Sequence, residues 1–205
     1  MNFVLSAISG LLLMFCFPEY DLSSLIWIAL IPLFIAIGNT RSIKTSAVYG
    51  FLTGLIYFGG TLNWIKIVGL WVGSLYGILA WIALVIFQSL FIALFAALVR
   101  MLSAIIEKRV PGSKKEYALM LLGPVLWMVI EWLRASGPFA VTAGNLVYSQ
   151  YTFLQLIQIA SVIGSFGITF LIVLVNQVLA ALISSLLIRE GTYIFSKKAL
   201  LIMTE

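Results

Sequence analysis

Histidine is missing from all 205 residues, and cysteine occurs once, at Cys16. A single thiol closes no intrachain disulfide. Without imidazole there is no His/Cys metal cluster, and no histidine base for a serine or cysteine nucleophile. No phosphate-binding loop of the P-loop kind is present either. Charge is scarce: 9% of residues carry it, as 12 Lys or Arg and 7 Asp or Glu. What fills the chain is hydrocarbon. Hydrophobic residues make up 63%, and mean hydropathy is +1.17, beyond what a water-soluble fold of this size tolerates. Closely spaced apolar runs of spanning length predict an all-α polytopic transmembrane helical bundle. The short alternating segments of a membrane barrel are not seen. The net charge of +5 is then an orientation signal rather than a nucleic-acid footprint.

The runs predict about six spans. Residues 3–17 form the first, which is short for a crossing. It has no basic n-region and no small-residue cleavage site, which argues against a signal peptide. Bulky Phe15 argues against a lipid-modified Cys16, so that thiol reads as a small buried hydrophobe. An acidic turn at Pro18, Glu19, Tyr20 and Asp21 follows. Residues 22–37 form the second span, with Pro32 as a kink. Residues 47–65 form the third, with Gly50 and Gly54 at the spacing that lets helices approach closely. Asn63, Trp64 and Lys66 mark its interface end. Residues 70–99 exceed one span and read as an interfacial segment leading into a helix over 78–99. Residues 100–116 read as a solvated basic loop with a turn at Pro111, Gly112 and Ser113.

The fifth span covers residues 117–133, and an uncharged loop follows it. Residues 153–188 are again too long for one span. Gly164 and Gly167 mark a turn from an interfacial part into the sixth span, and the GSFG repeat reads as close packing. Residues 1–190 are thus taken as the transmembrane domain, and 191–205 as the truncated start of a further span. Ten basic residues then fall on one side: Arg41, Lys44, Arg100, Lys108, Arg109, Lys114, Lys115, Arg189, Lys197 and Lys198. Only Lys66 and Arg134 fall on the other. That bias predicts both termini cytoplasmic and the uncharged loop outside.

Polar side chains inside apolar runs are costly, which makes them candidate functional positions. Here they are Glu131, Arg134, Asn145, Tyr148, Gln150 and Asn176. They are expected to line one outer-leaflet region, either for binding or for helix-to-helix bonding. Glu131 and Arg134, three residues apart, are expected to pair. Arg134 is expected to snorkel to the interface.

Five stretches in order carry a resemblance: FCFPEYDLSSLIWIALIPLF, YGFLTGLIYFGGTLNWI, GPVLWMVIEWLRASGPF, GNLVYSQ and LQLIQIASVIGSFGITFLIVLVN. Together they resemble the membrane half of bacterial apolipoprotein N-acyltransferase, over nearly the whole chain. The resemblance implies an inner-membrane protein in acyl transfer from a phospholipid donor to a diacylglyceryl lipoprotein, through a cysteine thioester. It implies no cofactor, and it makes Arg134, the only guanidinium on the outer side, the candidate for contact with a head-group phosphate. The family's catalytic Glu, Lys and Cys lie in an outer nitrilase-like domain beyond a seventh span, so none of the three is assigned here and Cys16 is not the nucleophile. A separately encoded nitrilase-like partner would complete such a chain. The sequence departs from the family in one place. A Gly-Phe-Pro-Trp run is usual before the matching Gly144 and Asn145, whereas here Ala140, Val141, Thr142 and Ala143 stand there, and the tryptophan is missing at Ala143. Other readings are a small transporter or scaffold, although no internal repeat supports a transporter, and an inactive remnant.

Overall fold

The computed structural model describes residues 1–137 and 140–187. The apolar runs become seven α-helices and three 3-10 turns, with no strand among the described residues. The helices are α1 (Asn2–Phe15), α2 (Ile31–Gly38), α3 (Ile43–Thr61), α4 (Gly69–Val72), α5 (Ser74–Arg109), α6 (Ser113–Arg134) and α7 (Leu154–Leu187). The 3-10 turns are Ser23–Trp27, Asn63–Val68 and Leu146–Gln150. Arg189, Lys197, Lys198, the predicted end of the sixth span and segment 191–205 lie outside the described residues.

Small residues set the spacing of the first layer. A Cβ on Gly50 would run into the Ile92 carbonyl and come within 2.8 Å of the Ala96 methyl; one on Gly54 would lie 2.7 Å from Ser89 Cα. The GxxxG pair therefore seats α3 against the backbone of α5, the close approach that such spacing permits. The Thr53 hydroxyl donates to the Ser6 carbonyl at 2.9 Å, and the Ser9 hydroxyl to the Ala29 carbonyl at 2.6 Å, binding α1 to its neighbours. Aromatic rings fill the next layer: Phe34 and Trp127 both meet Phe95 edge-on.

Six apolar segments follow in the predicted order, but they differ in kind. By length and composition α5, α6 and α7 can each cross a membrane. α3 with the segment after it would make a fourth, bent by 52°. Segments Asn2–Phe15 and Ser23–Gly38 are shorter.

Several local expectations are corrected. Pro32 kinks nothing, because it stands at the start of α2, where its missing N–H is no loss. The basic stretch from Arg100 onward is not a loop. α5 runs unbroken to Arg109, and the turn is confined to the residues around Gly112, whose φ is +67°. The segment before it breaks at Gly73, with φ of +101°. Gly164 marks the bend in α7 as expected, but not through packing. A Cβ there would meet nothing within 4 Å, and what requires glycine is its φ of +71°.

The break in the second segment leaves backbone groups to satisfy. Asn176, wholly buried on α7, does so: its Oδ1 accepts the Leu30 N–H at 2.8 Å, and its Nδ2 donates to the Ile26 carbonyl at 2.8 Å. The amide thus supplies a donor and an acceptor where a continuous helix would have supplied its own. Asn176→Leu should leave both backbone groups buried and unpaired, costing about 2–4 kcal/mol. The measurement is the midpoint of thermal unfolding in detergent; an unchanged midpoint would mean that Asn176 does not hold the break.

Candidate functional site: a buried polar clamp on the 141–150 loop

The uncharged loop after α6 is not a solvent-facing connection. Past Gly137, whose φ is +83°, the chain returns into the bundle, and the Val141 N–H donates to the Arg134 carbonyl at 2.8 Å. Leu146 and Ser149 are wholly buried, with Asn145, Val147 and Gln150 nearly so. A loop taken out of water must find partners for its backbone. Here they come from the side chains of three helices, α3, α5 and α6.

Glu131 is the centre of one half. Its Oε1 accepts the Leu146 N–H at 2.8 Å and the Trp127 indole N–H at 3.1 Å, while Oε2 accepts the Thr169 hydroxyl at 2.9 Å. One carboxylate therefore joins α6, the loop and α7. Arg134 is the centre of the other half. Its Nε donates to Gln88 Oε1 at 3.0 Å, and Nη2 to the Ala143 carbonyl at 2.7 Å. Nη1 makes a longer bond to Asn145 Oδ1 at 3.4 Å, and the guanidinium carbon lies 4.7 Å from the Phe58 ring centre, a cation–π contact. Gln88 also donates from Nε2 to the Val141 carbonyl at 3.3 Å. Tyr57 closes the clamp, with its hydroxyl donating to the Gly144 carbonyl at 2.6 Å. Gly144 has φ of +79°, and a Cβ there would come within 2.9 Å of Phe58, so neither backbone nor space admits a side chain.

Two expectations for the pair are corrected. Arg134 does not snorkel: it is 2% exposed. Nor does it form an ion pair with Glu131, because Lys115 and Glu116 make the only such contact among the described residues. The physical reason is common to both. Loop carbonyls and the Gln88 amide offer a buried guanidinium charge-assisted bonds at closer reach than the interface does.

Nor do the six candidates form one group. Glu131, Arg134 and Asn145 share the clamp. Gln150 lies at the far end of the loop, where Nε2 donates to the Ser23 carbonyl at 2.9 Å. Asn176 is two helical turns along α7 from Thr169, about 10 Å, and serves the break described above. Tyr148 is 47% exposed and is the candidate whose side chain faces outward. Beside it, the Tyr151 hydroxyl donates to Asp21 Oδ1 at 2.5 Å, which raises the phenol above the ordinary tyrosine range. Asp21 and Glu19 both take positive φ, at 55° and 96°, rare for residues with a side chain.

Cys16 is wholly buried, with its thiol donating to the Leu12 carbonyl at 3.0 Å. Among the described residues no group of three acidic, Cys or His side chains could hold a metal.

Residues 9–178 match the family model described as the apolipoprotein N-acyltransferase N-terminal domain. The chain belongs to the apolipoprotein N-acyltransferase family. An apolipoprotein N-acyltransferase of Geobacter metallireducens is 35% identical over 192 residues, which is 92% of this chain and 35% of that one. The enzyme of the same name from Thermotoga maritima is 30% identical over 84% of this chain and 34% of its own length. That from Photobacterium profundum is 28% identical over 70% of this chain and 26% of its own. The chain therefore spans about a third or less of the length of these curated relatives. The matched residues take in all six candidates, together with Tyr57, Gln88 and Thr169, which sequence reasoning passed over. The alanine at position 143 leaves the clamp intact, because Arg134 binds the backbone carbonyl there.

Proposed function

We propose that this chain is the membrane part of an apolipoprotein N-acyltransferase. In this reading it holds the phospholipid donor and the lipoprotein acyl chains while a nitrilase-like domain carries the thiolate chemistry. The observation that supports it is the family match over residues 9–178, which encloses a loop held rigid by Glu131 and Arg134 at one end of the bundle. The clamp end is taken to face outward, on the charge bias of the sequence, in an inner membrane crossed six times. Tyr148, exposed on the held loop, is then positioned to touch lipid. Glu131, Arg134, Asn145 and Gln150 act on substrate through the loop that they position, and Asn176 through the broken segment. Arg134, first considered for direct phosphate contact, becomes a positioning residue, because its donors face the loop.

Substrate handling by a rigid loop is consistent with the general requirement that acyl transfer needs reactants held in one geometry. The single cysteine of this chain does not suit the nucleophile role, since a thiol buried against a helix carbonyl is shielded from substrate. The test joins residues 1–187 to the remainder of the Geobacter metallireducens relative, in cells depleted of their own enzyme. The chimera should restore N-acylated lipoprotein, read by mass spectrometry of the lipopeptide. Tyr148→Ala in the chimera should raise KM for the phospholipid donor with little change in kcat. A stably inserted chimera that transfers no acyl group would sink the proposal.

A further inference from the structure

A second polar group lies away from the clamp. Four buried side-chain atoms lack a hydrogen-bond partner among the described residues: Thr61 Oγ1, Arg100 Nη1, Glu116 Oε2 and Gln177 Oε1. The last three stand on α5, α6 and α7, in the half of the bundle opposite the loop. Arg100 is the most demanding of them. It is 5% exposed, and beyond the helix's own backbone ladder the hydrogen bond described at it uses the backbone carbonyl, which accepts the Ser103 hydroxyl at 2.9 Å. No described carboxylate is within ion-pair distance of it. Arg100 is also three turns along α5 from Gln88, about 18 Å, and so is separate from the clamp.

Arginine keeps its charge under all ordinary conditions. A guanidinium this deeply buried needs an anionic partner, or folding bears the full cost of an uncompensated charge. The net charge of this end favours an anion: Lys108, Arg109, Lys114 and Lys115 flank the turn between α5 and α6, against Glu107 and Glu116. Depth favours a lipid source. A helix of 36 residues is about 54 Å long, against a hydrocarbon thickness of about 30 Å, so the last turns of α5 extend past the apolar layer. Arg100, about 13 Å from the end of α5, then sits near the boundary at which head-group phosphates lie. Glu116, 6% exposed in the first turn of α6, meets Lys115 through Oε1 at 3.9 Å and leaves Oε2 without a partner among the described residues.

We propose that Arg100 holds a phosphate ester at the basic end of the bundle, a lipid site distinct from the acyl-transfer region. The experiment uses the full chain, stripped of lipid in detergent. Phosphatidylglycerol, diacylglycerol of the same chains and inorganic phosphate are added in turn, and binding is read by native mass spectrometry and thermal unfolding. The wild type should bind phosphatidylglycerol and not diacylglycerol. Arg100→Gln should weaken that binding by about tenfold, the worth of one charge-assisted bond. Arg100→Lys keeps the charge without the fork. It should fold and bind with a severalfold loss, which covers the case in which Arg100→Gln is poorly folded. Stabilisation by inorganic phosphate alone would identify a free anion as the occupant; stabilisation by the phospholipid alone would identify the head group. Equal phosphatidylglycerol binding by the wild type and Arg100→Lys would overturn the proposal. So would restoration of Arg100→Gln stability by Glu116→Gln in a protein indifferent to phosphatidylglycerol, because the two groups would then serve only each other.

Discussion

Glu131→Ala should destabilise the bundle by about 3–5 kcal/mol, the range for removing one member of a buried charged network. The carboxylate is 1% exposed and accepts three bonds, so its loss strands the Leu146 N–H, the Trp127 indole N–H and the Thr169 hydroxyl together. It also opens a cavity that the loop cannot fill. Glu131→Gln should cost less, about 1–2 kcal/mol, because an amide oxygen can still accept and the Thr169 hydroxyl can rotate to accept in turn. Thermal unfolding in detergent, followed by tryptophan fluorescence, separates the two. Equal losses would mean that negative charge matters and the individual bonds do not.

The second large effect is steric. Gly50→Ala should destabilise by about 1–3 kcal/mol, because the new methyl meets the Ile92 carbonyl, and backbone cannot step aside as a side chain can. Gly59→Ala, on the same helix, provides the contrast. A Cβ there meets nothing within 4 Å, so it should be neutral or stabilising by up to about 1 kcal/mol through helix propensity. Two glycines of one helix should thus respond with opposite signs. A loss of the same size at both positions would refute the packing account of α3 against α5.

The sequence made some of this legible and hid the rest for identifiable reasons. Helix order followed from hydropathy, because apolar runs separated by glycine, proline and charge leave few alternatives. The turn at Gly112 and the bend at Gly164 were readable from residue type. Glu131 and Arg134 stood out because charge inside an apolar helix is rare. Their partners did not. Gln88 was visible as the single amide in the apolar stretch ahead of Arg100, a signal that could have found it. Thr169 and Tyr57 look like ordinary residues of their helices, and only the fold brings them to Glu131 and to Gly144. Arg134 misled by sitting at a helix end, where snorkelling is the usual outcome. A loop that re-enters the bundle has no periodic signature, so its carbonyls could not be counted as partners in advance. The broken second segment was missed likewise, because the amide that completes it is supplied from α7, 146 residues beyond the Leu30 N–H.

The bonds that hold the 141–150 loop end mostly on main-chain atoms: the Val141, Ala143 and Gly144 carbonyls and the Leu146 N–H. The instructions for its shape are therefore written in α3, α5 and α6, and hardly at all in the loop. Apart from Gly144, Asn145 and Gln150, its letters can drift while its form is inherited. Grafting this loop onto another scaffold would transfer its sequence without its conformation, whereas transplanting Tyr57, Gln88, Glu131 and Arg134 would carry the conformation to a loop of different sequence.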